Sequence, residues 1–93
     1  MTNTITLYES RLCGFCSAAR RMLDGKGWKY DSIVVDGKPD LFDEMQERSG
    51  RHTVPQIFFG GHHVGGFDDM AELEADGELE QLYTDKVVNA SGG

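Results

Sequence analysis

Two cysteines three positions apart are the residues of this chain best suited to chemistry. Cys13 and Cys16 enclose Gly14 and Phe15, and the sequence contains no other cysteine. They follow an alternating apolar run and precede a pattern of helical period. A cysteine at the first turn of a helix lies beside unpaired backbone N–H groups and the positive end of the helix dipole, which favour the thiolate. The spacing predicts thiol–disulfide exchange, with Cys13 as nucleophile and Cys16, one turn later, as resolving thiol.

A structural disulfide and a zinc site are the other interpretations of this pair. A disulfide closing so short a loop removes little entropy from the denatured state, and no signal-peptide pattern indicates an oxidising compartment. A zinc ion needs four ligands, and the other candidates are His52, His62 and His63. Adjacent histidines in a strand point to opposite faces, so their spacing matches no usual zinc motif. Redox chemistry is therefore favoured, and no metal site is predicted from these residues.

Length and composition limit the fold and the partners. Ninety-three residues with 39% hydrophobic content predict a single small domain over residues 1–93, with a frayed tail from about residue 88. The apolar runs are too short to span a membrane, and the N-terminus lacks the basic region of a signal peptide. We therefore expect a cytoplasmic protein without a membrane partner.

The net charge of −7 is concentrated in the C-terminal part of the chain. Residues 1–67 hold eight acidic and eight basic side chains, whereas residues 68–93 hold eight acidic and one basic. Binding to nucleic acid would need clustered lysine and arginine for the phosphates, so we expect no nucleic acid partner. A solvated acidic helix face accounts for the surplus.

The apolar patterns predict the element order β-α-β-α-β-β-α-α. A helix between the first two strands makes them parallel, and the Gly60–Gly61 turn makes the last two an antiparallel hairpin. The result is an α/β fold with a four-stranded mixed sheet flanked by helices. Cys13 caps the first helix, Pro39 begins the second, and the spacing of Asp69 and Glu72 resembles a capping box at the third. The predicted bounds are 4–9 (strand, with Ile5 and Leu7 on one face), 16–26 (helix), 28–35 (strand), 39–49 (helix, with Leu41, Phe42 and Met45 buried), 54–59 and 62–64 (strands), 69–75 and about 79–83 (helices).

Three motifs together resemble the glutaredoxins, a family with the thioredoxin fold. They are the Cys13–Cys16 pair at a strand-to-helix junction, Thr53-Val54-Pro55, and Gly65-Gly66-Phe67-Asp68-Asp69. Thioredoxins and disulfide isomerases share the first motif but lack the Gly-Gly-x-Asp-Asp segment. The resemblance extends from residue 4 to about residue 84.

The resemblance implies a groove for glutathione beside Cys13. In the family the bond that corresponds to Val54–Pro55 is cis, which would present the backbone of Val54 to the cysteinyl backbone of glutathione. Backbone N–H groups at the Asp68–Asp69 helix start would bind the γ-glutamyl carboxylate, and the carboxylate of Asp69 would accept from the γ-glutamyl ammonium. An exposed Phe15 ring would shield the thiol. The implied glutathione-binding residues are Arg11, Phe15, Thr53, Val54, Pro55, Gly66, Asp68 and Asp69.

Two positions near the cysteines depart from the usual family pattern. Many dithiol members carry proline and tyrosine between the cysteines, where this chain has Gly14 and Phe15. A basic residue commonly lies three places before the first cysteine, where this chain has Ser10. The basic residues that could contact the glycine carboxylate of glutathione are therefore Arg11, which is the first choice, and Arg51 and Lys38.

The resemblance implies a glutathione-dependent thiol–disulfide oxidoreductase, monomeric, that reduces protein–glutathione mixed disulfides and protein disulfides. An alternative follows from Gly14, which resembles members that hold a [2Fe-2S] cluster between two protomers, with Cys13 of each protomer and two glutathiones as ligands. A third interpretation is a redoxin that serves ribonucleotide reductase and is recharged by thioredoxin reductase. The Asp68–Asp69 site argues against it, because that class has little use for a glutathione groove.

Overall fold

A computed structural model of the chain describes residues 3–89, and its strands and helices follow the predicted order. A π-helical turn is added after the last helix. Between residues 3 and 89, no helix is long and apolar enough to cross a membrane. The elements are β1 (Ile5–Glu9), α1 (Gly14–Lys26), β2 (Tyr30–Val34), α2 (Pro39–Ser49), β3 (Gln56–Phe59), β4 (His62–Gly65), α3 (Phe67–Ala75), α4 (Leu79–Tyr83) and the π-helical turn (Thr84–Val88).

Four strands form one mixed sheet in the order β2-β1-β3-β4, which confirms the predicted thioredoxin-type arrangement. β1 and β2 are parallel, as the crossover through α1 requires, whereas β3 is antiparallel to both β1 and β4. Because β1 and β3 run in opposite directions, the carboxyl end of β1 and the amino end of β3 lie at the same end of the sheet. The loop to Cys13 follows β1 and the Val54–Pro55 segment precedes β3, so the topology brings these two segments together.

Helices cover both faces of the sheet. Ile5 and Leu7 share one face of β1, as predicted, and they are fully buried in one cluster with Leu23 of α1. Tyr8 points to the opposite face, where it packs with Met45 of α2. Burial of one such side chain contributes roughly 1.5–3 kcal/mol to folding stability. These two clusters therefore fix the positions of the loops at this end of the sheet.

The termini of α1 and α2 follow local signals in the sequence. Cys13 is the N-cap of α1, as predicted, and the helix begins at Gly14, two residues before the predicted start. Gly27 ends it with a φ of 73°, in the left-handed region that glycine adopts without steric cost. Pro39 is the first residue of α2, where its missing N–H costs no hydrogen bond.

The predicted start of α3 is wrong. The spacing of Asp69 and Glu72 predicted a helix from residue 69, but α3 begins at Phe67 with Gly66 as its N-cap. Asp69 is the third residue of the helix, and its carboxylate accepts a hydrogen bond from the Gly66 N–H at 2.9 Å. Only the acidic half of a capping box is therefore present, in which Asp69 accepts from the N-cap N–H. The N-cap itself is a glycine, which has no side chain that could have indicated the cap in the sequence.

The bounds of the strands and of the C-terminus differ from the prediction in smaller ways. β2 is shorter than residues 28–35, and β3 begins at Gln56 because Pro55 has no N–H for the ladder. On α2, Met45 is buried, but Leu41 and Phe42 are only half-buried. Val88, where the predicted frayed tail begins, lies at the end of the π-helical turn. Residues 90–93 of the predicted tail lie outside the described residues.

Aromatic rings hold the C-terminal helices against the amino end of β1. The ring of Trp28 stacks on that of Tyr83 in α4, with centroids 3.9 Å apart and an interplanar angle of 4°. The Nζ atom of Lys26 lies 5.8 Å from the Trp28 ring centroid and pairs with one glutamate of α3 and one of α4. This cluster lies before β2 and therefore at the end of the sheet opposite to Cys13.

Candidate active site

The sulfur of Cys13 contacts two backbone groups at the start of α1. Its Sγ accepts a hydrogen bond from the Cys16 N–H at 3.2 Å and, as a thiol, donates to the Val54 carbonyl oxygen at 3.8 Å. The side chain is half-buried, so a substrate can still reach it. Negative charge is stabilised at a helix N-cap by the N–H groups of the first turn. The geometry therefore suits a thiolate nucleophile.

Cys16 has the opposite environment. Its side chain is fully buried, and burial, with a contribution from its hydrogen bond to Cys13, raises the pKa of Cys16 to about 12. This thiol therefore stays protonated at neutral pH. Both cysteines are free thiols. The contrast supports the predicted division between a nucleophile at position 13 and a resolving thiol at position 16.

Asp36 anchors the loop that leads to Cys13. Its Oδ2 accepts a hydrogen bond from the Arg11 N–H at 2.8 Å, and the Ser10 hydroxyl donates to the same carboxylate. These bonds, with that of Arg11 the larger cause, lower the pKa of Asp36. The turn after β2 thereby holds the residues just before Cys13, and it uses the backbone of Arg11.

A groove of about 190 Å³ lies between the Thr53–Pro55 segment and the start of α3. The Val54–Pro55 peptide bond is cis, as the resemblance implied. The groove is lined by every predicted glutathione-binding residue except Arg11, and Arg51, Gln56 and Phe67 are added to them. The structure thus brings seven of the eight predicted residues together, while the exposed Arg11 lies outside the lining.

Arg51 supplies a positive charge to the groove. Its Nη1 donates to the Oδ2 of Asp69 at 2.9 Å, and the Gly66 N–H donates to the same oxygen. The bond from Arg51, followed by that from Gly66, lowers the pKa of Asp69, so this carboxylate is ionised at neutral pH. Both of these donors use Oδ2, which leaves Oδ1 to accept from a ligand.

The apolar rim of the site is formed by an exposed ring. The side chain of Phe15 is 62% exposed, as predicted, and stacks on Phe67 with ring centroids 6.4 Å apart. Leu12, directly before the nucleophile, is 98% exposed. Apolar side chains therefore flank the sulfur of Cys13 in the sequence on both sides.

Gln56 lines the groove and His63 contacts it from outside the lining, and sequence reasoning missed both. Gln56 is 1% exposed, and its Nε2 donates to the carbonyl oxygen of Thr53 at 3.0 Å and to the Thr53 hydroxyl at 3.2 Å. Its Oε1 lies 2.7 Å from the Nε2 of His63. A glutamine directly after Pro55, in an otherwise apolar strand, is the signal that could have found this contact.

Neither metal ligands nor cavity size marks a competing site. In residues 3–89 no group of three or more His, Cys, Asp or Glu side chains could hold a metal ion. A larger cleft, about 900 Å³, is lined by Trp28, Tyr30 and Tyr83 among others, at the far end of the sheet. The smaller groove is lined by Val54, whose carbonyl oxygen lies 3.8 Å from the Cys13 sulfur, so we place the chemistry there.

Comparison with known proteins gives the family of the chain. A family model described as glutaredoxin matches residues 5–64, well over half of the sequence. The chain belongs to the glutaredoxin family. A glutaredoxin of Neisseria meningitidis serogroup A is 45% identical over 80 residues, which cover 85% of this chain and 94% of the relative. Glutaredoxin 3 of Escherichia coli K12 is 40% identical over 78 residues, which cover 84% of this chain and 94% of the relative.

Solved glutaredoxin structures share the fold of this glutaredoxin. The crystal structure of the buckwheat glutaredoxin–glutathione complex superposes with a TM-score of 0.80 at 31% identity, over 89% of this chain and 78% of that one. A structure described as metal binding of glutaredoxins superposes with a TM-score of 0.68 at 42% identity, over 92% and 91% of the two chains. Glutaredoxins are generally thiol oxidoreductases, and the geometry of Cys13 and Cys16 is consistent with thiol–disulfide exchange.

Proposed function

We propose that this chain is a glutathione-dependent thiol–disulfide oxidoreductase that reduces protein–glutathione mixed disulfides. The observation that carries the proposal is the position of the Cys13 sulfur, 3.8 Å from the carbonyl oxygen of Val54, a residue that lines the same groove as the Arg51–Asp69 pair. The γ-glutamyl end of glutathione carries an ammonium and a carboxylate, and an ion pair offers a partner to each. The glutathione complex of the buckwheat relative supports the same ligand for this groove.

In this proposal each part of glutathione has a partner in the groove. The backbone of Val54 pairs with the cysteinyl backbone, as in the addition of a β-strand. The Oδ1 of Asp69 accepts from the ammonium, and the N–H groups of the first turn of α3, at Asp68 and Asp69, bind the γ-glutamyl carboxylate. Thr53, Pro55 and Gly66 form the walls, and the ring of Phe15 covers the sulfur.

The reaction then proceeds in two exchanges. The Cys13 thiolate attacks the glutathionyl sulfur, a new disulfide forms between Cys13 and glutathione, and the protein thiolate leaves and takes a proton from solvent. A second glutathione thiolate attacks the glutathionyl sulfur of that disulfide and releases oxidised glutathione and the Cys13 thiolate. One free glutathione is consumed per turnover, because the other half of the oxidised glutathione is the glutathionyl group taken from the substrate.

Cys16 is needed only for protein disulfides. There the mixed disulfide joins Cys13 to the substrate protein, and the Cys16 sulfur attacks the Cys13 sulfur as the substrate thiolate leaves. Burial keeps the Cys16 thiol protonated, and its proton passes to the leaving thiolate during this step. The resulting Cys13–Cys16 disulfide is then reduced by two glutathiones.

Turnover of a glutathionylated peptide by two serine variants tests this division. Cys13→Ser should abolish release of the peptide thiol, whereas Cys16→Ser should retain much of the rate. Formation of oxidised glutathione, coupled to its NADPH-dependent reductase, is the measurement. Equal loss of activity in the two variants would refute the monothiol route.

A [2Fe-2S] cluster carrier is the second candidate function, with Cys13 of two protomers and two glutathiones as ligands. A Cβ atom added to Gly14 would meet no atom within 4 Å, so the space beside Cys13 is open to a bulky ligand. The solved relative described by its metal binding favours testing this function as well. Among the described residues Cys13 is the one cysteine that is not fully buried, so a cluster would need a second copy and the thiols of glutathione.

Anaerobic reconstitution with iron, sulfide and glutathione tests the carrier function. The expected product is a brown dimer that returns to a colourless monomer when glutathione is removed. Gly14→Pro should lower the cluster yield and leave oxidoreductase turnover intact, because proline fits the first position of a helix. A colourless monomer under these conditions would eliminate the carrier function and leave the enzyme.

A further inference from the structure

A buried amide links β4 to the loop beside Cys13. Gln56 is 1% exposed, and all of its side-chain hydrogen bonds go to Thr53 and His63. Thr53 lies three residues earlier, so the glutamine closes the Thr53–Pro55 loop upon itself. His63 lies on the neighbouring strand, where its ring also packs on Phe58 with centroids 4.9 Å apart. The imidazole is therefore fixed from two sides.

The chemistry of the partners sets the direction of every bond in this chain of contacts. The carbonyl oxygen of Thr53 can only accept, so the Gln56 atom beside it must be the NH₂ nitrogen. The Gln56 atom beside His63 is then the amide oxygen, which can only accept. His63 must therefore carry its proton on Nε2, and it donates to Gln56, which donates to Thr53.

The Thr53–Val54 peptide plane links these hydrogen bonds to the direction of the Val54 N–H at the groove. In a trans peptide the C=O of one residue and the N–H of the next point in opposite directions. The Thr53 carbonyl is held toward the buried amide of Gln56, so the Val54 N–H points away from that amide. We propose that His63 is a positioning residue that fixes the Val54 N–H for the glutathione backbone, acting through Gln56 and the Thr53–Val54 peptide.

This inference rests on the proposed function, since it assigns the Val54 N–H to glutathione. His63 is not itself part of the groove lining, but its hydrogen-bond partner Gln56 is. Loss of its N–H leaves the buried oxygen of Gln56 without a donor, and an unpaired buried amide is free to turn and release Thr53. The expected defect is in binding of the glutathionyl group, while the reactivity of the sulfur is unaffected.

Three variants of two adjacent histidines test the role of His63. His63→Leu removes the donor, His63→Gln places an amide N–H₂ group where the imidazole Nε2–H was, and His62→Leu is the matched control on the exposed face of the same strand. For a glutathionylated peptide, His63→Leu should raise KM by roughly 3–10-fold, the value of one lost hydrogen bond. The kcat and the rate of Cys13 alkylation by iodoacetamide should stay within about twofold of wild type, and His63→Gln should restore KM.

Spectra read the same contact without turnover. Long-range ¹⁵N–¹H spectra of the wild type should show His63 as the Nε2–H tautomer, and the amide resonance of Val54 should shift in His63→Leu but not in His62→Leu. An Nδ1–H tautomer, an unchanged KM in His63→Leu, or a His63→Gln variant no better than His63→Leu would overturn the positioning role. A wild-type protein inactive on the glutathionylated peptide would instead refute the proposed function, and the spectra would then decide the contact alone.

Discussion

At the scale of single residues, the site separates two thiols by environment. Cys13 caps a helix and is half-buried, whereas Cys16 is fully buried one turn later. A stable protonated thiol next to a reactive sulfur protects the site from premature disulfide formation, because a thiol is a far weaker nucleophile than a thiolate. The resolving thiol thus becomes active only when a leaving group nearby can take its proton.

Asp69 carries the first prediction, which concerns its charge. Asp69→Asn keeps an oxygen for the Gly66 N–H but removes the carboxylate proposed to bind the γ-glutamyl ammonium. A hydrogen bond to a charged group contributes about 1.5–3 kcal/mol, and we expect the lower value because this side chain is 43% exposed. The apparent affinity for glutathione should fall about tenfold in steady-state turnover.

Asp68→Asn is the matched control for that prediction. Asp68 lies next in the chain and lines the same groove, but its proposed contribution is a backbone N–H, which the substitution keeps. The two variants change the net charge equally, so a general electrostatic effect would weaken glutathione equally in both. Equal values for the two variants would show that the Asp69 carboxylate does not bind the ammonium.

At the scale of elements, the β4–α3 junction holds the groove in shape. Gly65 ends β4 with a φ of +120°, and a Cβ atom there would clash with the carboxylate of Asp69. Only glycine allows both this backbone conformation and this close approach. The carboxylate of Asp69 can therefore cap α3 and face the groove at once.

The second prediction is that Gly65→Ala destabilises the fold and displaces Asp69. The strained backbone and the contact with the carboxylate should lower the free energy of unfolding by about 1–3 kcal/mol. In a chain of this size that corresponds to a fall in Tm of roughly 4–8 °C per kcal/mol. Gly61→Ala is the control, because its Cβ would meet nothing within 4 Å. Calorimetry that gives both variants the same Tm would contradict this account.

The elements were predictable from the sequence to different degrees, for physical reasons. The period of the apolar residues and the signals at Pro39 and Gly50 are local, so the order of the elements and the ends of α2 could be predicted. The cap at Gly66 could not be predicted. The Asp69 carboxylate accepts from the backbone N–H of Gly66, and a backbone group leaves no signal in the sequence.

The site followed the same rule. Seven of the predicted residues lie in motifs and line the groove, whereas the place of Arg51 in the lining depends on which side chain the fold brings beside Asp69. The Gln56–His63 contact depends on the register of β3 and β4, where a bulge lies between Ile57 and Phe58. Register at such an irregularity is set by tertiary packing and is not written in the local pattern.

At the scale of the whole molecule, the acidic side chains of the C-terminal part lie increasingly far from the cysteines. α3 begins at the groove and extends about 13 Å along its nine residues, so the acidic residues that follow Asp69 lie progressively farther from Cys13. Lys26 pairs with Glu74 and Glu80 near that far end. Repulsion between two copies that met at their Cys13 sites would therefore be reduced by distance and by salt.

The third prediction concerns the pH dependence of stability. Burial, and then the charge of Arg51, lowers the pKa of His63 below its ordinary value of 6.5, with Asp69 opposing and His62 adding to this effect. Above pH 6.5 the imidazole is neutral in both the folded and the unfolded protein. As the pH falls below 6.5, the unfolded chain binds this proton first, so stability is lost as the pH falls through the folded pKa.

Urea unfolding from pH 8 to pH 5 measures that loss. The wild type should lose stability over this range more steeply than His63→Gln, which cannot titrate there. His62→Gln removes only the last and smallest of these effects on His63 and should lose stability nearly as steeply as the wild type. Parallel curves for the wild type and His63→Gln would mean that the folded protein tolerates the imidazolium as well as the unfolded chain does.

The stacking of Trp28 on Tyr83 also determines which changes in this protein tryptophan fluorescence can detect. Trp28 is the single tryptophan of the chain, and it lies at the end of the sheet away from Cys13, with its ring face covered by Tyr83. Its fluorescence should therefore not change when Cys13 and Cys16 are oxidised. It should change instead when α4 detaches from the sheet. We expect equal emission from the reduced and oxidised proteins, and an altered spectrum for Tyr83→Ala. An assay that follows the redox state of Cys13 and Cys16 by protein fluorescence therefore needs a probe placed at the other end of the sheet.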